Sequence, residues 1–217
     1  MNATAPSSVR TMVVSVWDPV VRFGHWALVV AFAVAYLTAE EESGSPDFLH
    51  VWGGYMVGAI VVVRVLWGFV GTKYARFSDF ICSPFAALRY LLDLMAGRAR
   101  RYVGHSPAGG AMVMVLLACL AGTVATGIVA YGERGQGPLA ADGAVITAVG
   151  HAEENEAGGG EAKGAEGKSI VGELHGALAN ITLAVVVLHI FGVGLASYAH
   201  RENLFAAMVS GKKRAAE

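Results

Sequence analysis

Leu174 to Ala199 reads LHGALANITLAVVVLHIFGVGLASYA, an apolar run of 26 residues without an acid, lysine or arginine. As a helix it is about 39 Å long, enough to cross roughly 30 Å of hydrocarbon. His175 and His189 lie fourteen residues apart within it. That spacing is a rise of about 21 Å and a turn of about 1400°, so the two side chains stand roughly 40° apart on one face at different depths. Imidazole is a common axial ligand of haem iron, and one helix of this kind can serve two haems.

The rest of the chain fits the same setting. Of 217 residues 55% are hydrophobic and 15% charged, with a mean hydropathy of +0.52, too apolar for an ordinary soluble domain. Four stretches are long enough to span a bilayer, about 20–39, 48–70, 110–131 and 174–199. The expected fold is all-α, an integral membrane four-helix bundle formed as a single membrane-embedded domain over residues 1–217. The first stretch carries Arg22 and His25 and reads as a retained helix rather than a cleaved signal. Cys82 and Cys119 belong to no Cys-x-x-Cys-His motif, so any haem is held without covalent attachment, as haem b.

Orientation follows from the basic residues. Arg10, Arg22, Lys73, Arg76, Arg89, Arg98, Arg100, Arg101, Arg201, Lys212, Lys213 and Arg214 fall on one side, twelve of the sixteen. The opposite loops carry Arg134, Lys163 and Lys168 against eleven acids. The positive side is expected to be cytoplasmic, which places both termini in the cytoplasm. The net charge of −1 conceals this asymmetry.

Between the spans, Thr11 to Trp17 reads as extended, and Asp18-Pro19 as a turn into the first helix. Pro84 to Gly97 places Phe85, Leu88, Leu91, Leu92 and Met95 at helical spacing, which predicts a short interfacial helix between helices two and three. The outer loop 132–170 is rich in glycine and acid and is expected to be flexible.

With both termini inside, His25 and His189 fall at matching depth, about 21 Å and 22 Å below the outer surface. His50 and His175 both lie within about one turn of that surface. The expected ligands are therefore His25 and His189 for an inner haem and His50 and His175 for an outer one. Arg64, fourteen residues after His50, is a candidate contact for an inner-haem propionate. His200 falls outside the hydrocarbon and is rejected as a ligand, while His105 and His151 read as solvated loop residues. Glycines after the histidines, among them Gly53, Gly54, Gly58, Gly176, Gly192 and Gly194, permit close approach of a bulky ligand or of another helix.

Several stretches are similar to the bacterial cytochrome b561 family, which includes the b-type cytochrome subunits of nickel-iron hydrogenases. They are Trp17-Asp18-Pro19 with Arg22 and His25-Trp26, then RVLWGFVGTKYARFSDF over 64–80, then LHGALAN, LHIFGVG and HRENLFAAMVSGKKR between 174 and 214. The resemblance implies a four-helix bundle with two haem b, bound by one histidine from helix one, one from helix two and two from helix four. Those positions correspond to His25, His50, His175 and His189. It also implies electron exchange between membrane quinone and a partner, either a periplasmic c-type cytochrome or a respiratory enzyme subunit, with quinone oxidoreductase activity as the associated enzymatic expectation. The other readings are a membrane anchor of a nickel-iron hydrogenase or similar enzyme and, from a different class, a divalent-metal transporter. The partners expected are thus lipid, quinone and a redox protein; nucleic acid is not among them.

Overall fold

The computed structural model describes residues 12–39, 48–140 and 169–215. In chain order these form β1 (Val13–Ser15), α1 (Pro19–Leu37), α2 (Phe48–Val70), two single-turn 3-10 helices (Lys73–Ala75 and Phe77–Asp79), α3 (Pro84–Met95), α4 (Pro107–Glu133), α5 (Ile170–Ala199), α6 (Leu204–Ser210) and β2 (Lys212–Arg214). Four of them, α1, α2, α4 and α5, are long and apolar enough to cross a membrane. The all-α expectation holds apart from the short β1·β2 pairing. The expected outer loop falls largely on residues 141–168, with His151 among them, outside the described residues.

The helix ends are set by polar caps that hydropathy does not register. α4 starts at Pro107, three residues before the expected span, because Ser106 Oγ accepts from Gly109 N at 3.1 Å and proline suits the first helical position. α5 starts at Ile170, where Ser169 Oγ accepts from Gly172 N at 3.0 Å. The predicted Asp18-Pro19 turn is the N-cap of α1. Asp18 Oδ1 accepts from Val21 N, while Oδ2 accepts from Trp67 Nε1 at 3.1 Å and Thr72 Oγ1 at 2.6 Å. Burial alone would raise the Asp18 pKa, and these bonds outweigh it and hold the carboxyl below its ordinary range.

Two compact units divide the chain across the long helices, so that each unit holds one end of every helix. The first comprises residues 1–27, 63–114 and 189–217, the second 28–62 and 115–188. In the second unit the four helices close into a ring of contacts. Gly53 lies against Ala31 and Ala35, where an added Cβ would come within 3.0 Å of Ala35 Cβ, and Gly58 lies against Val124. Thr123 and Thr182 share a hydrogen bond at 3.0 Å between α4 and α5, and Tyr36 donates to Asn180 at 2.7 Å between α1 and α5. Thr182 is fully buried, and its hydroxyl also donates to Leu178 O. Small residues and hydroxyls are the packing currency expected where lipid removes the hydrophobic drive between helices.

Most of the large apolar side chains face outward instead. Leu37 is 80% exposed, and Phe191, Phe69 and Ile190 are similarly open. Such surfaces suit hydrocarbon as the surrounding solvent rather than water.

In the first unit, α3 takes the place predicted for an interfacial helix. Ser83 caps it, Pro84 opens it, and Ala87, Tyr90 and Leu94 are buried while Phe85, Leu88, Leu92 and Met95 point out. One apolar stripe packs on the protein and another is left for the membrane surface.

A polar cap closes the chain ends of this unit. β1 pairs antiparallel with β2, with Val14 opposite Lys213. Gly211 turns the chain at φ +79, which favours glycine, and its carbonyl accepts from Val16 N and Trp17 N. Glu202 lies at the centre, with Arg101 at 2.9 Å and Lys213 at 3.5 Å, and the Glu202 and Lys213 side chains are 7% and 5% exposed. Arg101 also donates to the Arg214 and Ala215 carbonyls, Lys213 to Tyr102 O, and Arg22 to Val209 O.

Burial alone would raise the Glu202 pKa, but Arg101 and Lys213 outweigh it and hold it below the ordinary carboxylate value. Since folding lowers this pKa, the stabilisation is complete above the unfolded carboxylate range and is lost as pH falls through the folded value. Glu202→Ala strands a buried lysine and is expected to destabilise the detergent-solubilised protein by about 3 kcal/mol. Thermal unfolding checks this, with Lys213→Met in the same chain restoring most of the loss.

Candidate functional site

Each unit carries one pair of the four histidines singled out in the sequence. In the second unit, His50 from the first turn of α2 faces His175 from the second turn of α5, with ring centroids 5.9 Å apart and planes at 86°. Two imidazoles bound to one metal from opposite sides hold their centroids roughly 6 Å apart, given metal–nitrogen bonds of about 2 Å and about 1 Å from nitrogen to ring centre.

Both rings are anchored by the nitrogen that a metal would not use. His50 Nδ1 lies 2.7 Å from Ala35 O, and His175 Nδ1 lies 2.9 Å from Thr123 O. A carbonyl can only accept, so each Nδ1 carries the proton and each Nε2 keeps its lone pair. Ala35 O is among the last four carbonyls of α1, which have no partner within the helix. Thr126 Oγ1 donates to Thr123 O at 3.0 Å and lies 3.4 Å from His175 Nδ1, framing the same ring.

The first unit holds His25 of α1 and His189 of α5. His25 packs edge-on against Trp26 at 5.2 Å, and Trp26 against Phe205 at 5.3 Å. Its Nδ1 is buried without a hydrogen-bond partner among the described residues. Arg64 lies in this unit with its guanidinium 5.3 Å from the Phe77 ring and 6.0 Å from the Phe80 ring, and its Nη1 is buried without a partner among the described residues.

His105 is a correction to the sequence reading, which placed it in solvent. Its ring lies 4.7 Å from Trp17 and 4.4 Å from Phe80, with Nδ1 buried. Burial first, then the charges of Arg64 and Lys213, push its pKa down to about 4, so it is neutral at physiological pH. His200 shares a hydrogen bond with Tyr90 OH at 3.0 Å, away from both pairs.

The donor set discriminates between metals. A cation held by side chains alone takes three or four of them, and among the described residues no three His, Cys, Asp or Glu converge. A haem iron takes two, because the porphyrin supplies the other four nitrogens. Positions beside the histidines also leave room for a flat group, since a Cβ added at Gly54, Gly176, Gly192 or Gly194 would meet nothing within 4 Å. The residues present fit haem.

Apolar spanning helices that bring two histidines face to face are the setting of a membrane cytochrome of the b type. The chain belongs to the prokaryotic cytochrome b561 family, which it matches over residues 16–211. It is accordingly a multi-pass membrane haem protein of electron transport. No curated protein and no solved structure matches it.

The close approach of α4 to His175 gives a specific expectation. A Cβ at Gly127 would fall 2.9 Å from His175 Cε1 and 3.2 Å from Nδ1. Gly127→Val should push the ring off the Thr123 carbonyl and weaken haem binding at this pair by about tenfold to a hundredfold. Gly122→Ala, 3.6 Å from Leu178 Cδ1, should leave it unchanged. Haem titration followed by the Soret band distinguishes the two.

Proposed function

We propose that the chain carries electrons across the bacterial inner membrane between the quinone pool and a periplasmic redox protein, a c-type cytochrome by preference. In this reading it holds two haem b, one between His25 and His189 and the other between His50 and His175. The observation that carries it is the second-unit pair, two facing imidazoles with both Nδ1 protons committed to backbone carbonyls. Bound haem supplies the one-electron chemistry. The residues supply ligands of fixed tautomer, made more basic by their carbonyl partners, and an apolar surround that sets the dielectric.

Orientation in this proposal rests on charge. Twelve of the sixteen basic residues lie on the side of the two termini, which puts that side in the cytoplasm. The opposite, acidic loops suit a basic periplasmic cytochrome approaching under salt-dependent steering. Attachment to a hydrogenase or similar respiratory enzyme is the second reading, supported by the family's kinship with hydrogenase cytochrome b subunits.

The test is haem stoichiometry by pyridine haemochrome. Wild type should hold two haem b per chain, and His50→Ala or His175→Ala should each reduce it to about one, as should His25→Ala or His189→Ala. Combining one substitution from each pair should abolish binding. Full haem content in any single variant would remove that residue from the ligand set. The partner is tested separately: removing Glu153 to Lys168 should slow electron transfer to a basic c-type cytochrome at low salt and leave the haems in place.

A further inference from the structure

Four side-chain polar atoms are buried without a hydrogen-bond partner among the described residues, and all four, Arg22 Nε, His25 Nδ1, Arg64 Nη1 and His105 Nδ1, lie in the first unit. Two have ready explanations. Arg22 is held at the chain-end cap, where its Nη2 donates to Val209 O, and His25 Nδ1 is the rear nitrogen of a proposed ligand. Arg64 and His105 remain.

These two share a wall. The Phe80 ring, itself 6% exposed, lies 4.4 Å from the His105 ring and 6.0 Å from the Arg64 guanidinium. A buried guanidinium nitrogen and a buried imidazole nitrogen without partners among the described residues are costly, and a group with acceptor oxygens would satisfy both. Among the described residues no carboxylate fills this role. Asp18, which interacts electrostatically with Arg64, already accepts from Val21 N, Trp67 Nε1 and Thr72 Oγ1. Asp79 is exposed, on the rim of a cavity of about 220 Å³ that also reaches His105.

We propose that Arg64 and His105 together seat a propionate of the haem carried by His25 and His189, with His105 as the contact that the α3–α4 connection supplies. The inference rests on the haem reading above and adds to it a residue far from the ligands in sequence. Arg64 provides a fixed charge, and His105 provides a donor nitrogen held in place by Trp17 and Phe80. His105 is thus a positioning residue for the cofactor.

The test separates the carboxylate contact from general packing. Protein produced under haem limitation is titrated with haem b or with its dimethyl ester, which keeps the porphyrin and iron but removes both propionate charges. His50→Ala in the background confines binding to the first unit.

Wild-type residues at 64 and 105 should favour natural haem over the ester by roughly tenfold, the scale of a charge-assisted hydrogen bond. His105→Phe, which keeps the aromatic packing, should erase most of that preference while binding the ester as before. His105→Asn, which keeps a donor, should retain it in part, and Arg64→Gln should reduce it as well. An undiminished preference in His105→Phe, or equal weakening of haem and ester, would overturn the assignment of His105. Uptake of neither compound by the His50→Ala protein would overturn the haem reading itself.

Discussion

Two hydrogen bonds, from His50 Nδ1 to the Ala35 carbonyl and from His175 Nδ1 to the Thr123 carbonyl, fix the histidines of the second unit. Each joins two helices, α2 to α1 and α5 to α4, and each fixes the tautomer of the ring it holds. A histidine left free in hydrocarbon would seek any acceptor within reach, so committing Nδ1 determines where Nε2 is available. The glycines at 53 and 127 follow from the same requirement, because a side chain there would meet Ala35 or His175 and push apart the helices that the imidazoles join.

The first unit meets a different physical problem. Among the described residues its histidine pair has no matching carbonyl bonds, and its unpartnered buried atoms belong to Arg22, His25, Arg64 and His105. What is well satisfied there is the cap, where Glu202, Arg101 and Lys213 bind the chain ends to the α3–α4 connection. A buried ion cluster gains little net energy but is strongly directional. It fixes the backbone beside Tyr102 and the path that leads to His105, three residues further on. On the proposed reading the two units would present a haem by different means: one prepares its ligands in advance, while the other prepares a polar frame whose last partner would be the cofactor.

Much of this was legible in the sequence because membrane helices are written in local terms. Run length gave the four spans, helical spacing gave α3, and Asp18-Pro19 marked the start of α1. The depth argument pairs His50 with His175, and the two rings face each other. Helix ends were missed by a few residues, since Ser106 and Ser169 extend α4 and α5 beyond their apolar cores. The pairing of β1 with β2 joins segments nearly two hundred residues apart, and no local pattern in KKR announces a strand. His105 was misread for a related reason: its burial is created by Trp17 and Phe80, both distant in sequence, so its polar neighbourhood carried no signal.

The central claim is that two separate bis-histidine sites each hold a haem, and electron paramagnetic resonance of the purified, oxidised protein tests it most directly when paired with haem quantitation. The account predicts two haem b per chain and low-spin ferric signals only, as two imidazoles on each iron require. A single haem per chain, or a predominant high-spin signal from iron with an open axial position, would contradict it.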